Sequence, residues 1–327
     1  MFNYLVRRVA LGFLTLLMIS FLVYALIRLM PGSPLTVDAT NMNPGKQPSA
    51  QQIEQRKKLY GLDKPWYLQY FVWLGNVARL DFGRSIPQNN KPVSQLIAER
   101  VPATLMLSAS SLILSYLLSV PIGLWSTVRS GTYRERTVST LLYMLYSLPA
   151  FVAALYLQLL FFSKLGWLPL FGMTSDNYES LSAAGKAWDI LKHAILPIIC
   201  FTYGSLAYYS RFVQANMEEV VRQDFIRTAR AKGVPPGRVI WHHAFRNTLI
   251  PFVTLLGLTL PSLLGGAVIL EQIFGWPGMG RLYFEAIGQR DYDTIMGLTI
   301  MFSVLTLLGQ LLADILYAIV DPRVTYK

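Results

Sequence analysis

The chain has 327 residues, 53% hydrophobic and only 14% charged, with a mean hydropathy of +0.40; a soluble domain carries about a quarter charged residues, so a water-soluble globule is excluded. The formal net charge of +11 is divided among loops between apolar runs, with no basic stripe interleaved with aromatics, which argues against a nucleic-acid surface. The one cysteine, Cys200, excludes an intrachain disulfide and reads as a buried, inert thiol within an apolar run.

Apolar stretches of about 20 residues mark membrane-spanning helices. In chain order they fall near Val9–Met30, Val101–Val128, Val138–Phe162, Ile190–Tyr209, Leu249–Leu270 and Ile295–Ile319, predicting an all-α protein with six spans. The first follows Arg7-Arg8, but it is too long for a signal peptide and ends in Met30-Pro31-Gly32 rather than a small-x-small cleavage site. It reads as a retained helix. The segment 31–100 that follows is predicted to hold a helix from Gln51 to Leu59. It then holds an aromatic run, Trp66 to Leu74, lying along the membrane interface, and a turn at Asp81-Phe82-Gly83-Arg84-Ser85.

Ionisable side chains inside a membrane mark function, and here they are scarce. The interiors of the second, third and fifth predicted spans have none. Lys192 and His193 sit at the outer end of the fourth, and Arg28 near the end of the first, where a long side chain reaches the interface at little cost. Asp314 lies in the last span near its cytoplasmic end and reads as an interfacial hydrogen-bonding residue. An ion-coupled carrier wants charges at the midplane, and no internal repeat points to an inverted-repeat transporter either.

Between the fourth and fifth spans lies a polar unit, Gln223-Asp224-Phe225-Ile226-Arg227-Thr228-Ala229-Arg230-Ala231-Lys232-Gly233. Asp224 is the expected N-cap and Arg230 and Lys232 occupy the last turn. Gly233 follows at C′, and Pro235-Pro236 block continuation. A helix of about eight residues is unstable alone in water and needs a groove. A second helical run is expected from Arg238 to Asn247. The N-terminal tail, residues 129–136, residues 211–247 and the C-terminal tail collect most of the short-loop Lys and Arg. That places both termini and the polar helix in the cytoplasm and residues 31–100 outside.

No Walker-type phosphate loop is present; the nearest fragment, Gly45-Lys46-Gln47, lacks the pattern. An intramembrane enzyme would need a paired nucleophile and base or two aspartates. His193 has no serine partner in a motif, Asp314 has no second carboxylate, and the adjacent His242 and His243 point in different directions on a helix. No catalytic, cofactor-binding or metal-binding residue is therefore assigned. In the loop Gln272–Asp293, Trp276-Pro277-Gly278-Met279-Gly280 forms a rigid turn, which Trp276 and Tyr283 could anchor at the membrane interface. Tyr143, Tyr146, Tyr203, Tyr208 and Tyr209 put hydroxyls within spans, either along a polar pathway or in packing.

The run Arg227 to Gly233 resembles the cytoplasmic EAA loop of ABC-importer permeases, in the form found in the oligopeptide/dipeptide group. Met30-Pro31-Gly32-Ser33-Pro34, Tyr60-Gly61-Leu62-Asp63-Lys64-Pro65 with Gln69-Tyr70, Asp81 to Ser85 and Arg100 to Leu105 are similar to that family's pattern. So are Glu271 to Arg281, Arg290-Asp291-Tyr292 and Asp321-Pro322-Arg323. Arg227 stands where the general EAA pattern has glutamate, which looks like a feature of the peptide and nickel group. The resemblance implies a type I importer fold. Residues 1–100 would form the cytoplasmic tail, first span and external segment, and residues 101–327 a five-helix core with a coupling loop at about 216–247. It implies that Asp224 to Gly233 dock into a cleft of an ATPase subunit. Trp276, Pro277, Gly278, Gly280 and Arg281 would form an external gate and receptor contact, beside the anchor reading above. Partners implied are a related second permease, two ATPases that hold the ATP and magnesium, and an extracytoplasmic binding protein that delivers a peptide. A nickel or glutathione importer, or a stand-alone channel or secondary carrier, are the alternatives.

Overall fold

A computed structural model describes residues 2–29, 54, 65–259, 262–265 and 267–320. The expected helix from Gln51 to Leu59, the motifs at 30–34 and 60–64, and Asp321-Pro322-Arg323 lie outside the described residues. The regular structure described is helical apart from one antiparallel pair of two-residue strands, β1 (Arg84–Ser85) and β2 (Lys91–Pro92).

The helix α1 (Phe2–Leu29) runs beside the last helix of the chain, and the aromatic run forms α2 (Trp66–Val77). That run does more than rest at the interface. Its buried face, Tyr70 and Trp73, packs on Tyr24 and Ile27 of α1, and the Tyr70 hydroxyl lies 3.0 Å from Ser20 Oγ. Tyr67, Leu68, Phe71 and Val72 on the other face stay exposed.

Two long helices form the centre: α3 (Val93–Val128) and, later in the chain, α6 (Ala183–Val221). The buried face of α3 carries Thr104, Ser108, Ser111, Ser115, Ser119 and Gly123, spaced three or four residues apart and so on one side of the helix. Small and hydroxyl side chains let helix backbones approach in a membrane and bond across the gap. Ser115 Oγ meets Ser205 Oγ at 2.8 Å and the Thr202 hydroxyl donates to Ser111 at 3.2 Å. A Cβ on Gly123 would lie 2.6 Å from Val213. Pro102, Pro121 and Pro197 lie inside these helices, which continue through them. His193 is buried rather than reaching for the interface; its Nδ1 lies 2.8 Å from the Asp189 carbonyl one turn back. Cys200 is buried as expected.

Two predicted spans are not continuous helices. The third divides into α4 (Tyr133–Ser147) and α5 (Ala150–Gln158, continued as a π-helical Leu159–Lys164), bent by 91°. Proline disfavours the helical region in the residue before it. Leu148, ahead of Pro149, is accordingly extended at φ −78°, ψ 119°. The fifth is broken at Ala267, extended at φ −116°, ψ 95°, ahead of α10 (Val268–Phe274); before that break its described helical residues are α8 (Phe245–Thr259) and α9 (Ser262–Gly265). Among the described residues, four helices are long and apolar enough to cross a membrane, within α1, α3, α6 and α12 (Tyr292–Val320), and the bent pair offers a fifth crossing. Asp314 of α12 pairs with Arg8 of α1 at 2.8 Å, and Arg28 at the other end of α1 bonds the Tyr24 hydroxyl and lies over the Tyr292 ring. The expected interfacial charges are thus ties between the first and last helices.

At the end of α12 near its first residue, two separated sequence motifs meet. Asp291 accepts from the Ser85 and Thr294 hydroxyls, and Asp293 accepts from the Arg84 N–H at 3.3 Å. Burial pushes the Asp291 carboxyl above the ordinary value, while those hydroxyls pull it back. Gly83 has φ +82°, and a Cβ there would lie 2.5 Å from Asp293 Oδ2. Gly83→Ala is expected to destabilise the protein by about 1–3 kcal/mol. Gly75→Ala, at a helical glycine with nothing within 4 Å, should be neutral or slightly stabilising. Thermal unfolding of the purified protein in detergent compares them, and equal melting temperatures would count against the fit.

Candidate functional site

The polar unit forms α7 (Asp224–Ala231). Gln223, not Asp224, is the N-cap: it is extended at φ −75°, ψ 155°, and its carbonyl accepts the Ile226 and Arg227 N–H groups. Asp224 is the first helical residue, where its charge complements the helix dipole. Its contact with Arg227 at 3.4 Å joins two exposed side chains and contributes little. The C-terminus closes as predicted. Gly233 has φ +75°, its N–H donates to Arg230, and the Val234 N–H donates to Ala229, the paired bonds of a Schellman motif.

Ile226 and Ala229, three residues apart, are buried against Leu124 of α3, Val213 and Met217 of α6, and Val239 and Ala244 beyond the loop. The groove that so short a helix requires is therefore floored by the chain itself. Asp224, Phe225, Arg227, Thr228, Arg230, Ala231, Lys232 and Gly233 remain exposed, giving the outward face one large apolar side chain and three basic ones. Beyond Pro235, a turn at Pro236–Arg238 and a π-helical stretch, Val239–Ala244, lead into α8 in place of one regular run from Arg238 to Asn247.

On the opposite end of α3, the turn between α10 and α11 (Met279–Gln289) is packed into the fold. Trp276 has no exposed surface; its indole N–H donates to the Ala103 carbonyl at 2.8 Å among Leu107 and Ala194. The anchor reading is thereby corrected, because this tryptophan is a core wedge and Tyr283 is half-buried. Pro277 is half-buried, and Gly278 and Gly280 are buried. A Cβ on Gly278 would lie 2.3 Å from Glu271, and one on Gly280 would lie 2.8 Å from the Val268 backbone. Arg281 donates to the Gly275 carbonyl at 2.6 Å and to Glu285 at 2.7 Å, and its guanidinium lies over Phe171.

The residue that organises this turn is not one that local sequence pattern singles out. Glu271 is wholly buried, accepts from the Thr104 hydroxyl at 3.1 Å and the Arg281 N–H at 3.0 Å, and so places a carboxylate at the start of α11. Thr104 in turn accepts from the Met279 N–H at 2.7 Å. Both lie in motifs noted in the sequence, but their contact spans 167 positions, and no local pattern announces it.

The tyrosines divide. Tyr143 and Tyr146 on α4 and Tyr208 on α6 are 50%, 60% and 54% exposed. Tyr203 donates to the Leu148 carbonyl at 2.8 Å, satisfying a group that the bend at Pro149 frees. Tyr209 is buried against the Tyr116 ring.

Residues 119–326 match the family model described as the binding-protein-dependent transport system inner membrane component, and residues 1–108 match its N-terminal companion. The chain is 40% identical over 99% of both lengths to the oligopeptide transport system permease protein AppB of Bacillus subtilis (strain 168). It is 34% identical, over the whole of both lengths, to the dipeptide transport system permease protein DppB of Alkalihalophilus pseudofirmus. The glutathione transport system permease protein GsiC of Shigella flexneri matches at the same identity, also over full length. A chain of the inward-facing MetNI methionine ABC transporter shares the fold with a TM-score of 0.54 at 19% identity, over 70% of this chain and 97% of that one. With its apolar helices, its packed α10–α11 turn and its docked α7, this chain belongs to the family of multi-pass inner-membrane permease components of binding-protein-dependent ABC transport systems.

Proposed function

We propose that the chain is one of two permease subunits of an ATP-driven importer of di- and oligopeptides, with α7 as the element that couples it to ATPase subunits. The observation that carries the coupling role is the two-sidedness of α7. Ile226 and Ala229 seat it on α3 and α6, while Phe225, Arg227, Arg230 and Lys232 face outward with no partner surface among the described residues. A separate ATPase subunit supplies that surface, binds ATP and magnesium, and closes on nucleotide binding. The floor beneath α7 is packed side chains that cannot compress, so a displaced α7 carries α3 and α6 with it and opens the path alternately to each side. The peptide assignment follows the names of the oligopeptide and dipeptide relatives. Glutathione, itself a short peptide, is the second reading. Both termini and α7 are cytoplasmic in this reading. The unit around Pro277, Gly278, Gly280 and Arg281 forms an external gate beneath an extracytoplasmic receptor.

Arg227→Asp combined with Arg230→Asp is expected to reduce the ATPase copurifying with this chain by roughly tenfold, with membrane insertion unchanged. An undiminished yield of ATPase would remove the coupling role from α7. Gly233→Ala places a side chain at φ +75° and should weaken the C-terminal closure of α7 by about 1 kcal/mol. Its expected signature in reconstituted vesicles is ATP hydrolysis that persists while peptide uptake falls, and parallel retention of both rates would speak against it.

A further inference from the structure

The lipid-facing candidates on α1 and α3 are apolar. On α1 they are Phe13, Leu14, Met18, Leu22 and Leu26, and on α3 they are Ile113 and Leu117. The face shared by α4 and α6 differs. Tyr143 and Tyr146 stand one turn apart on α4, and Tyr208 and Arg211 stand one turn apart on α6. The two pairs meet where the Arg211 guanidinium lies 5.6 Å from the centre of the Tyr143 ring. Three hydroxyls and a cation thus form one continuous exposed lane.

Arg211 is held at its rear and open at its front. Its Nη1 donates to Gln214 at 2.8 Å and lies 3.6 Å from Glu135, whose side chain is only 9% exposed and also receives the Ser139 hydroxyl. The arginine side chain itself is 41% exposed. Among the described residues, its Nε and Nη2 make no hydrogen bond. A guanidinium carries five donors in a planar fork, so fixing one nitrogen against a buried carboxylate orients the rest without using them. Glu135 is in this sense a positioning residue. Arg211 lies just past the predicted end of the fourth span, so it stands at the mouth of a lane whose tyrosines lie within the spans. Three tyrosine hydroxyls are poorly matched to lipid tails, and with a half-exposed guanidinium at their end they are what a wet pathway for a charged cargo requires.

We propose that Arg211 is a carboxylate-recognising subsite on the translocation path, with Tyr143, Tyr146 and Tyr208 as its wetted wall. It takes the terminal or side-chain carboxylate of the cargo by a charge-assisted, bidentate contact. The subsite rests on the peptide reading above, since it is a peptide that brings the carboxylate.

The test uses the whole complex with its receptor in proteoliposomes, with trialanine and trialanine amide as probes. Arg211→Gln should lower uptake of trialanine roughly tenfold or more and leave uptake of the amide within about twofold of the unaltered complex. Arg211→Lys should restore part of the loss. Equal losses for both probes, as an interfacial or packing arginine would give, or no loss at all, would overturn the subsite while leaving the peptide reading intact. If the unaltered complex carries neither probe, the peptide reading fails and the subsite with it. A second arm asks whether the lane is wet. Tyr146→Cys should react with a charged methanethiosulfonate, more slowly when trialanine is present during ATP turnover, and the buried Cys200 gives little background. An unreactive cysteine would mean that lipid or another subunit covers the lane, and would also overturn the proposal.

Discussion

In a bilayer two helices gain little by hiding leucine from lipid, so they are held by close backbone approach and by polar groups that find each other. The contact between α3 and α6 is built this way, through Ser111 and Ser115 of α3, the matching Thr202 and Ser205, and the bare backbone at Gly123. Nearly everything else is fastened to this pair. The Trp276 indole and the Glu271 carboxylate engage one end of α3 through Ala103 and Thr104, and Ile226 of α7 rests on Leu124 and Val213 near the other. A helix of 36 residues spans about 54 Å, so α3 links the α10–α11 turn and α7 as a single member.

The two ends are built on opposite principles. The α10–α11 turn is buried, with glycines where no Cβ fits and a carboxylate that receives the Thr104 hydroxyl and the Arg281 N–H of α11. Its geometry is fixed by its own chain. Helix α7 has two buried side chains, Ile226 and Ala229, and among the described residues its remaining surface is exposed. One end is closed by its own chain, and the other leaves the surface that the proposed ATPase contact would cover.

Much of this architecture is legible in the amino-acid sequence. The polar helix is readable because short-range chemistry defines it: Gly233 stops it, Pro235 and Pro236 forbid its return, and basic residues fill its last turn. Its N-cap lies one position earlier than the side chains suggest. An N-cap needs only an extended backbone and a free carbonyl, which Gln223 provides without any side-chain bond. The bend in the third span is present in Leu148-Pro149, but a hydropathy window averages over a single proline. The role of Trp276 is not legible at all. A tryptophan beside Pro-Gly looks interfacial until its partner, 173 positions away, is known. The serine series of α3 is fully visible as a periodicity, but apolar counting treats serine as noise in a span rather than as the contact itself.

That series has a mechanical consequence. Hydroxyls both donate and accept, and on α3 they recur at intervals close to one helical turn. A slide of α6 by one turn would set Thr202 and Ser205 opposite neighbouring hydroxyls of α3, so those two bonds would be exchanged rather than lost. Gly123 offers no such equivalence, because Val213 fills the one notch that admits it. The seam therefore has the character of a ratchet, with permissive teeth at Ser111 and Ser115 and a keyed stop at Gly123 beside α7.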